Sequence, residues 1–275
     1  MDLQRIVLAY SGSLASSAAV RWLIETYGAE VVTVTVDVGQ TDDLEEVYAR
    51  ALACGATRAH VVDRCEVFAR NTVLSAVARP EPLDDEALRH LAHPVLASAL
   101  VEIAKIERAD AVAHAAMHDS LDAHIHRLDA ALPVIAAARE WGAQGIDPSD
   151  YAKMHHVSSS GTIRAERHLL LRPLAGTGRR ATDEGADVTI GFADGRPASV
   201  NGVAMELEEL IESLSLIGGQ YGLSTSTATP APAAVLLQAA YRESAGRTSV
   251  TLRLKPNVLD VFDGGELRPP LVNRS

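Results

Sequence analysis

Residues 11–17, Ser-Gly-Ser-Leu-Ala-Ser-Ser, gather four hydroxyls and one glycine directly behind the apolar run Ile6-Val7-Leu8-Ala9-Tyr10. A buried strand that ends in small residues and opens a helix presents successive backbone N–H groups with no intrahelical partner, and these attract an anion. Gly12 allows a left-handed turn and close backbone approach. Ser11, Ser16 and Ser17 add hydroxyl donors, so the chemistry on offer is pyrophosphate binding. The loop alone reads equally well as an ordinary strand-to-helix turn filled with small packing residues. A second group is His114, His118 and Asp122, spaced i, i+4, i+8, with His124 and His126 close by. On one helix that spacing would make a metal-ligand stripe. His114 ends a strand in this reading, so the three do not share a helical face, and no metal site is assigned. His155-His156 reads as a solvated loop pair, and Cys54 as a core residue on an inner helical face.

The elements that position these groups alternate in type. Residues 5–10 form a strand, and 14–27 a helix with Leu14, Ala18, Trp22 and Leu23 on one face, ended by Gly28. Residues 30–38 are a β-branched buried strand, and 42–54 a helix begun by Asp42-Asp43 and stopped by Gly55. Strands over 58–62, 110–114 and 133–136, with a helix over 94–107, complete a parallel α/β sheet. Ligands of such sheets bind at the carboxyl ends of the strands. The segments 11–17, 37–40 and 114–122 all follow strand ends and therefore converge. Beyond about residue 150 the pattern changes. The stretch 157–200 has weak periodicity, 201–204 reads as a turn, and 205–222 and 233–245 as helices. A Ser/Thr/Ala/Pro linker covers 224–233, and 248–265 reads as a β-hairpin. The expected domains are 1–150, holding the phosphate loop, and 151–275, a reduced α+β region.

The chain has 275 residues and a formal net charge of −11. That balance argues against non-specific nucleic-acid binding, which needs a basic surface, and leaves a nucleotide held by backbone N–H groups open. Two cysteines, Cys54 and Cys65, make no disulfide framework. No apolar run reaches the roughly 20 residues of a membrane span. The expectation is a cytoplasmic protein without signal peptide, membrane or nucleic-acid partner.

Ala9-Tyr10-Ser11-Gly12-Ser13-Leu14-Ala15-Ser16-Ser17 resembles the A-[YF]-S-G-G-L-D-T-S pyrophosphatase loop (PP-loop) of argininosuccinate synthases. Val36-Asp37-Val38-Gly39-Gln40 resembles that family's D-V-G-Q segment. His93-Pro94 through Leu100-Val101-Glu102-Ile103-Ala104 is similar to its A-L-A-R-P helix, and Val134-Ile135-Ala136 through Arg139-Glu140-Trp141 also matches. The likeness covers residues 5–142 well and the rest in fragments: Asn201-Gly202 with Leu207 to Gly219, and 247–264. It implies a PP-loop fold of the adenine nucleotide alpha hydrolase type. It also implies a ligase that joins citrulline to aspartate by adenylation with release of pyrophosphate. ATP would lie against Ala9, Tyr10, Ser11, Gly12, Ser13, Ser16, Ser17, Val36 and Gln40, with Mg²⁺ bridging its phosphates. His93 and Asp122 would contact an amino-acid-like substrate, and the family's association through its C-terminal half implies a homo-oligomer.

The departures fall at the chemistry. Ser13 replaces the second loop glycine, Ala15 the loop aspartate and Ser16 the threonine, while His93 replaces the arginine of A-L-A-R-P. Of the family's H-G-x-T-x-K-G-N-D-Q-x-R-F, residues 114–124 offer a counterpart only in Asp122, and the glycines, Thr, Lys and Asn are absent. No catalytic residue is assigned. One reading is an ATP-dependent C–N ligase altered in substrate or activity. The others are a non-catalytic protein that binds a partner or small ligand, and a product without function.

Overall fold

The computed structural model describes residues 3–40, 43–79, 81, 83, 87, 90–116, 120–157, 170, 185–223, 232–256, 258–263 and 266–268. By its internal contacts the chain divides into one unit of residues 1–64 and 92–166 and another of 65–91 and 167–275. This division differs from a single boundary at residue 150, because the segment 65–91 clusters with the C-terminal half.

The first unit is a five-stranded parallel sheet in the order β3-β2-β1-β4-β5. Its strands are β1 (Arg5–Ala9), β2 (Glu30–Asp37), β3 (Arg58–Asp63), β4 (Ala111–His114) and β5 (Val134–Ala136). Side chains alternate along β1. Ile6 and Leu8 enter one core, and Val7 enters another on the opposite face with Val32, Val34 and Val112. Helices therefore cover both faces, as buried parallel strands require. The first core takes α1 (Leu14–Tyr27) through Ala18, Ala19 and Trp22, and α2 (Leu44–Ala53) through Val47 and Ala51. Asp43 caps α2 by accepting from the amides of Glu45 and Glu46. The expected start at Asp42 lies outside the described residues.

The second core takes α5 (His93–Glu107), through Leu100 and Ile103, and α6 (Ser120–Leu128), through Leu121 and Ile125. Returning to the first face, α7 (Ala137–Gln144) and α8 (Pro148–Met154) bury Trp141 and Ala152, with Trp141 edge-on to Trp22 at 5.8 Å. Just beyond α8, His155 stacks on Tyr151 at 4.1 Å and pairs with Glu25 at 3.3 Å. The solvated-pair reading thus fails for His155, because the helical turn from Tyr151 brings its ring over the phenol.

The second unit opens with α3 (Cys65–Val67), a π-helical stretch Phe68–Val73 and α4 (Leu74–Val77), which follow one another without a break. They bury Phe68, Val73 and Val77. Its sheet has the order β11-β10-β9-β6-β7-β8, all antiparallel. The strands are β6 (Ala186–Ala193), β7 (Arg196–Val200), β8 (Val203–Ala204), β9 (Ser249–Lys255), β10 (Val258–Asp263) and β11 (Glu266–Arg268). Two of them correct the weak-periodicity reading of 157–200. Asp194 and Gly195 both take positive φ, 50° and 73°, which is the two-residue type I′ turn that Asp-Gly favours. Helices α9 (Leu207–Gln220) and α10 (Pro232–Glu243) pack together, α9 against β7 and α10 against β9. The expected hairpin at 248–265 corresponds to β9 and β10. Most of the expected linker, 224–231, lies outside the described residues. Among the described residues no helix is long and apolar enough to cross a membrane.

Candidate functional site

In the parallel sheet, β1 is flanked by β2 on one side and β4 on the other. The chain leaving β1 turns to one face and the chain leaving β4 to the other, because α1 and α6 belong to opposite cores. A crevice opens outside the carboxyl ends of the strands at such a switch in direction. The loop 11–17 borders it from β1, and His114 with α6 borders it from β4.

The β1 exit is built on a fixed base. Tyr10 donates its amide to the Val34 carbonyl at 2.9 Å, and its own carbonyl accepts from the Thr35 hydroxyl at 3.0 Å. The Tyr10 hydroxyl meets that of Ser17 at 2.9 Å, and burial pushes the phenol up to about 12. Gly12 turns with φ 71°. Its carbonyl is drawn back by Nη1 of Arg50, a buried guanidinium on α2, at 2.9 Å. Ser13 then caps α1: its hydroxyl oxygen accepts from the Ser16 amide at 3.2 Å. The Ser11 hydroxyl donates to Ser13 Oγ at 3.1 Å, and Ser13 Oγ and Ser16 Oγ lie 3.1 Å apart. Three hydroxyls therefore close a triangle over the helix entrance. Leu14 and Ala15, in the first turn, have amides that no intrahelical acceptor can reach. Cys54, at the end of α2, is half-buried, and burial raises its thiol, which suits packing better than nucleophilic attack.

At the β2 exit, Gln40 folds back on its own segment. Its Nε2 donates to the Val36 carbonyl at 2.9 Å and its Oε1 accepts from the Val38 amide at 2.9 Å. The Asp37 carboxylate accepts from the Gly39 amide at 2.9 Å. Val36 and Gln40 thus form a braced turn beside the loop 11–17, and Ala9 ends β1 next to it.

The β4 exit is held by charge. His114 is fully buried. Its Nδ1 accepts from the Ala116 amide at 3.1 Å, so that nitrogen is unprotonated, and Nε2 faces an oxygen of Asp122. The other Asp122 oxygen accepts from Arg139 on α7. Burial pushes the His114 imidazole below its ordinary range, against the pull of Asp122. Burial would raise the Asp122 carboxyl, but the hydrogen bonds from Arg139 and His114 and their charge outweigh it and hold it below the usual range. His93 Nδ1 meets the Ser120 hydroxyl at 2.7 Å, joining the first turns of α5 and α6. His124 lies further along α6 beside Arg127. His118 lies outside the described residues.

The expected phosphate-loop residues are therefore contiguous in space, and His93 and Asp122 both lie at the first turn of α6 or beside it. Sequence reading missed Arg50, Ser120 and the pairing of Arg139 with Asp122. Arg50 carried a signal, since it shares the buried stripe of Val47 and Ala51 on α2.

Residues 5–158 match the arginosuccinate synthase N-terminal HUP domain. The chain is similar to the argininosuccinate synthase of Syntrophobacter fumaroxidans, at 34% identity over 81% of this chain and 63% of that protein. It is similar to that of Pyrobaculum aerophilum at 32% identity, over 94% of this chain and 77% of that protein. For the Pyrococcus furiosus enzyme the figures are 34%, 80% and 60%. The chain thus spans less than two thirds of the length of the first and third of these relatives. With residues 5–158 matched to the family's N-terminal domain, and a five-stranded parallel sheet carrying its loop, the chain belongs to the argininosuccinate synthase family.

Proposed function

We propose that the chain binds ATP with its phosphates on the loop 11–17 and acts as an adenylating carbon–nitrogen ligase with an altered acceptor. One observation carries the reading: neutral hydroxyls and first-turn amides converge beside a sheet crevice, on a loop held from behind by the buried Arg50. Preorganised donors of this kind suit a leaving pyrophosphate, whose charge grows as the bond to the α-phosphorus breaks. An acceptor oxygen would attack that phosphorus, and an amine would then displace AMP. Adenine would lie toward the braced turn of Val36 and Gln40. The loop supplies no carboxylate, because Ala15 stands where the family has aspartate. The donor set therefore fits the phosphates, and Mg²⁺ would be held chiefly by phosphate oxygens and water.

The acceptor side supports an altered substrate. His93, an imidazole tied to Ser120, replaces a permanent guanidinium for a substrate carboxylate. A second reading, a non-catalytic protein that keeps the fold to bind a ligand or partner, is favoured by Asp122, both of whose oxygens are already bonded within the protein.

Isothermal titration with ATP–Mg²⁺, with AMP and pyrophosphate as controls, tests the proposal. Micromolar binding of ATP and pyrophosphate is expected, followed by pyrophosphate release in a screen of amino-acid-like acceptors. Absence of binding at millimolar ATP would overturn it in favour of the non-catalytic reading.

A further inference from the structure

Ser13 Oγ accepts from two donors at once, the Ser11 hydroxyl at 3.1 Å and the Ser16 amide at 3.2 Å. A hydroxyl oxygen at the convergence of an O–H and an N–H stands where an oxygen of a bound anion would stand. The Ser16 hydroxyl, buried, adds to the closure by lying 3.1 Å from Ser13 Oγ and donating to the Ser13 carbonyl at 3.1 Å. With Gly12 fixed by Arg50, the loop backbone has little freedom to swing Ser13 away as a whole. The side chain itself can leave, since it needs only rotation about χ1.

We infer that Ser13 is an internal competitor for the phosphate loop, its hydroxyl oxygen occupying the donors that a phosphoryl oxygen would use, so that it sets the loop's affinity low. This rests on the reading of 11–17 as a phosphate loop and deepens it. A phosphoryl oxygen entering here breaks the Ser16 amide and Ser11 hydroxyl bonds to Ser13 and makes its own in their place. Only the difference between the two sets of bonds appears as binding free energy. Removing the Ser13 hydroxyl frees both donors before the ligand arrives. At the modest net worth of one such hydrogen bond, affinity rises about three- to tenfold.

The test is titration of inorganic pyrophosphate into the wild-type chain and into Ser13→Gly, Ser13→Ala and Ser16→Ala, with the melting temperature of each. Ser13→Ala loses the helix cap, so its melting temperature falls, while pyrophosphate binds about three- to tenfold more tightly. Ser13→Gly, which keeps much of the capping preference, shows the same gain with a smaller thermal loss. Opposite movement of stability and affinity is the signature, because damage to the fold would lower both. Ser13→Ala binding more weakly than wild type, or equally well, overturns the inference while leaving the phosphate loop standing. Absence of pyrophosphate binding in all four proteins overturns the phosphate loop as well.

Discussion

At the exit of β1, three serine hydroxyls lie within 3.4 Å of one another around a helix entrance, and none carries charge. At the exit of β4, a buried imidazole, a carboxylate and a guanidinium are bonded in series from β4 through α6 to α7. Both border the same crevice, yet they respond differently to a visitor. Neutral hydroxyl bonds are worth little net, and an incoming anion can replace them almost evenly. A charge bonded on both sides in a partly buried setting is costly to strip. The first exit is therefore built to exchange partners, and the second to hold them.

The largest expected effect tests the second half of that contrast. Asp122→Ala removes the acceptor that His114 faces and the bond from Arg139 to Asp122. The Arg139 side chain is 39% exposed, so water recovers part of the loss. The expected cost is about 3 kcal/mol, the low end for breaking a buried pair. Urea unfolding measures it, and a cost no greater than that of Ser16→Ala would erase the difference between the two exits.

Arg50 is the exception at the first exit, since it is a buried charge that serves the exchangeable side. Arg50→Met keeps the stem's packing on α2 and loses the bond to the Gly12 carbonyl. About 2 kcal/mol of stability should go with it, in line with a hydrogen bond to a charged group. Pyrophosphate affinity should fall as well, because the loop backbone is then free to turn. Arg50→Lys should recover part of each. Calorimetry with titration of the same samples checks both, and unchanged affinity in Arg50→Met would show that the loop holds its shape without the guanidinium.

The same contrast explains what the sequence made readable. The β1 exit is local: Ser11 to Ser17 are neighbours in the chain, and their small side chains, glycine and preceding apolar run announce a strand-to-helix turn. The alternation of β1, α1, β2 and α2 was legible for the same reason, with Ile6, Val7 and Leu8 buried on alternate faces. The β4 exit joins residues 114, 122 and 139, and nothing in their spacing says that α6 and α7 will bring Asp122 between His114 and Arg139. Arg50 lies 38 positions from Gly12, a contact created by the packing of α2. The hairpin at Asp194-Gly195 was readable in principle, since that dipeptide is a strong type I′ signal, but the strands beside it alternate only loosely. The helix over 65–77 buries Phe68, Val73 and Val77 at irregular spacing through its π-helical stretch, so a 3.6-residue pattern does not find it.

The smallest expected effect concerns acid. His114 binds its proton less readily in the folded protein than in the unfolded chain, because burial opposes the charge more than Asp122 favours it. An unfolded histidine titrates near pH 6.5, so below that value the unfolded state takes up more protons than the folded state. The stability owed to a neutral His114 is therefore fully present above about pH 6.5 and is lost as pH falls toward its depressed folded value. The Asp122 carboxyl, held low by Arg139 and His114, acts with the same sign in a more acid window, below about pH 4. His114→Asn removes the first contribution while keeping a side chain that can both accept and donate. The difference in urea midpoint between wild type and this variant should narrow steadily from pH 7.5 to pH 5. A difference that stays constant over that range would mean that His114 is as easily protonated folded as unfolded, and the β4 exit would then be as yielding as the serine triangle opposite.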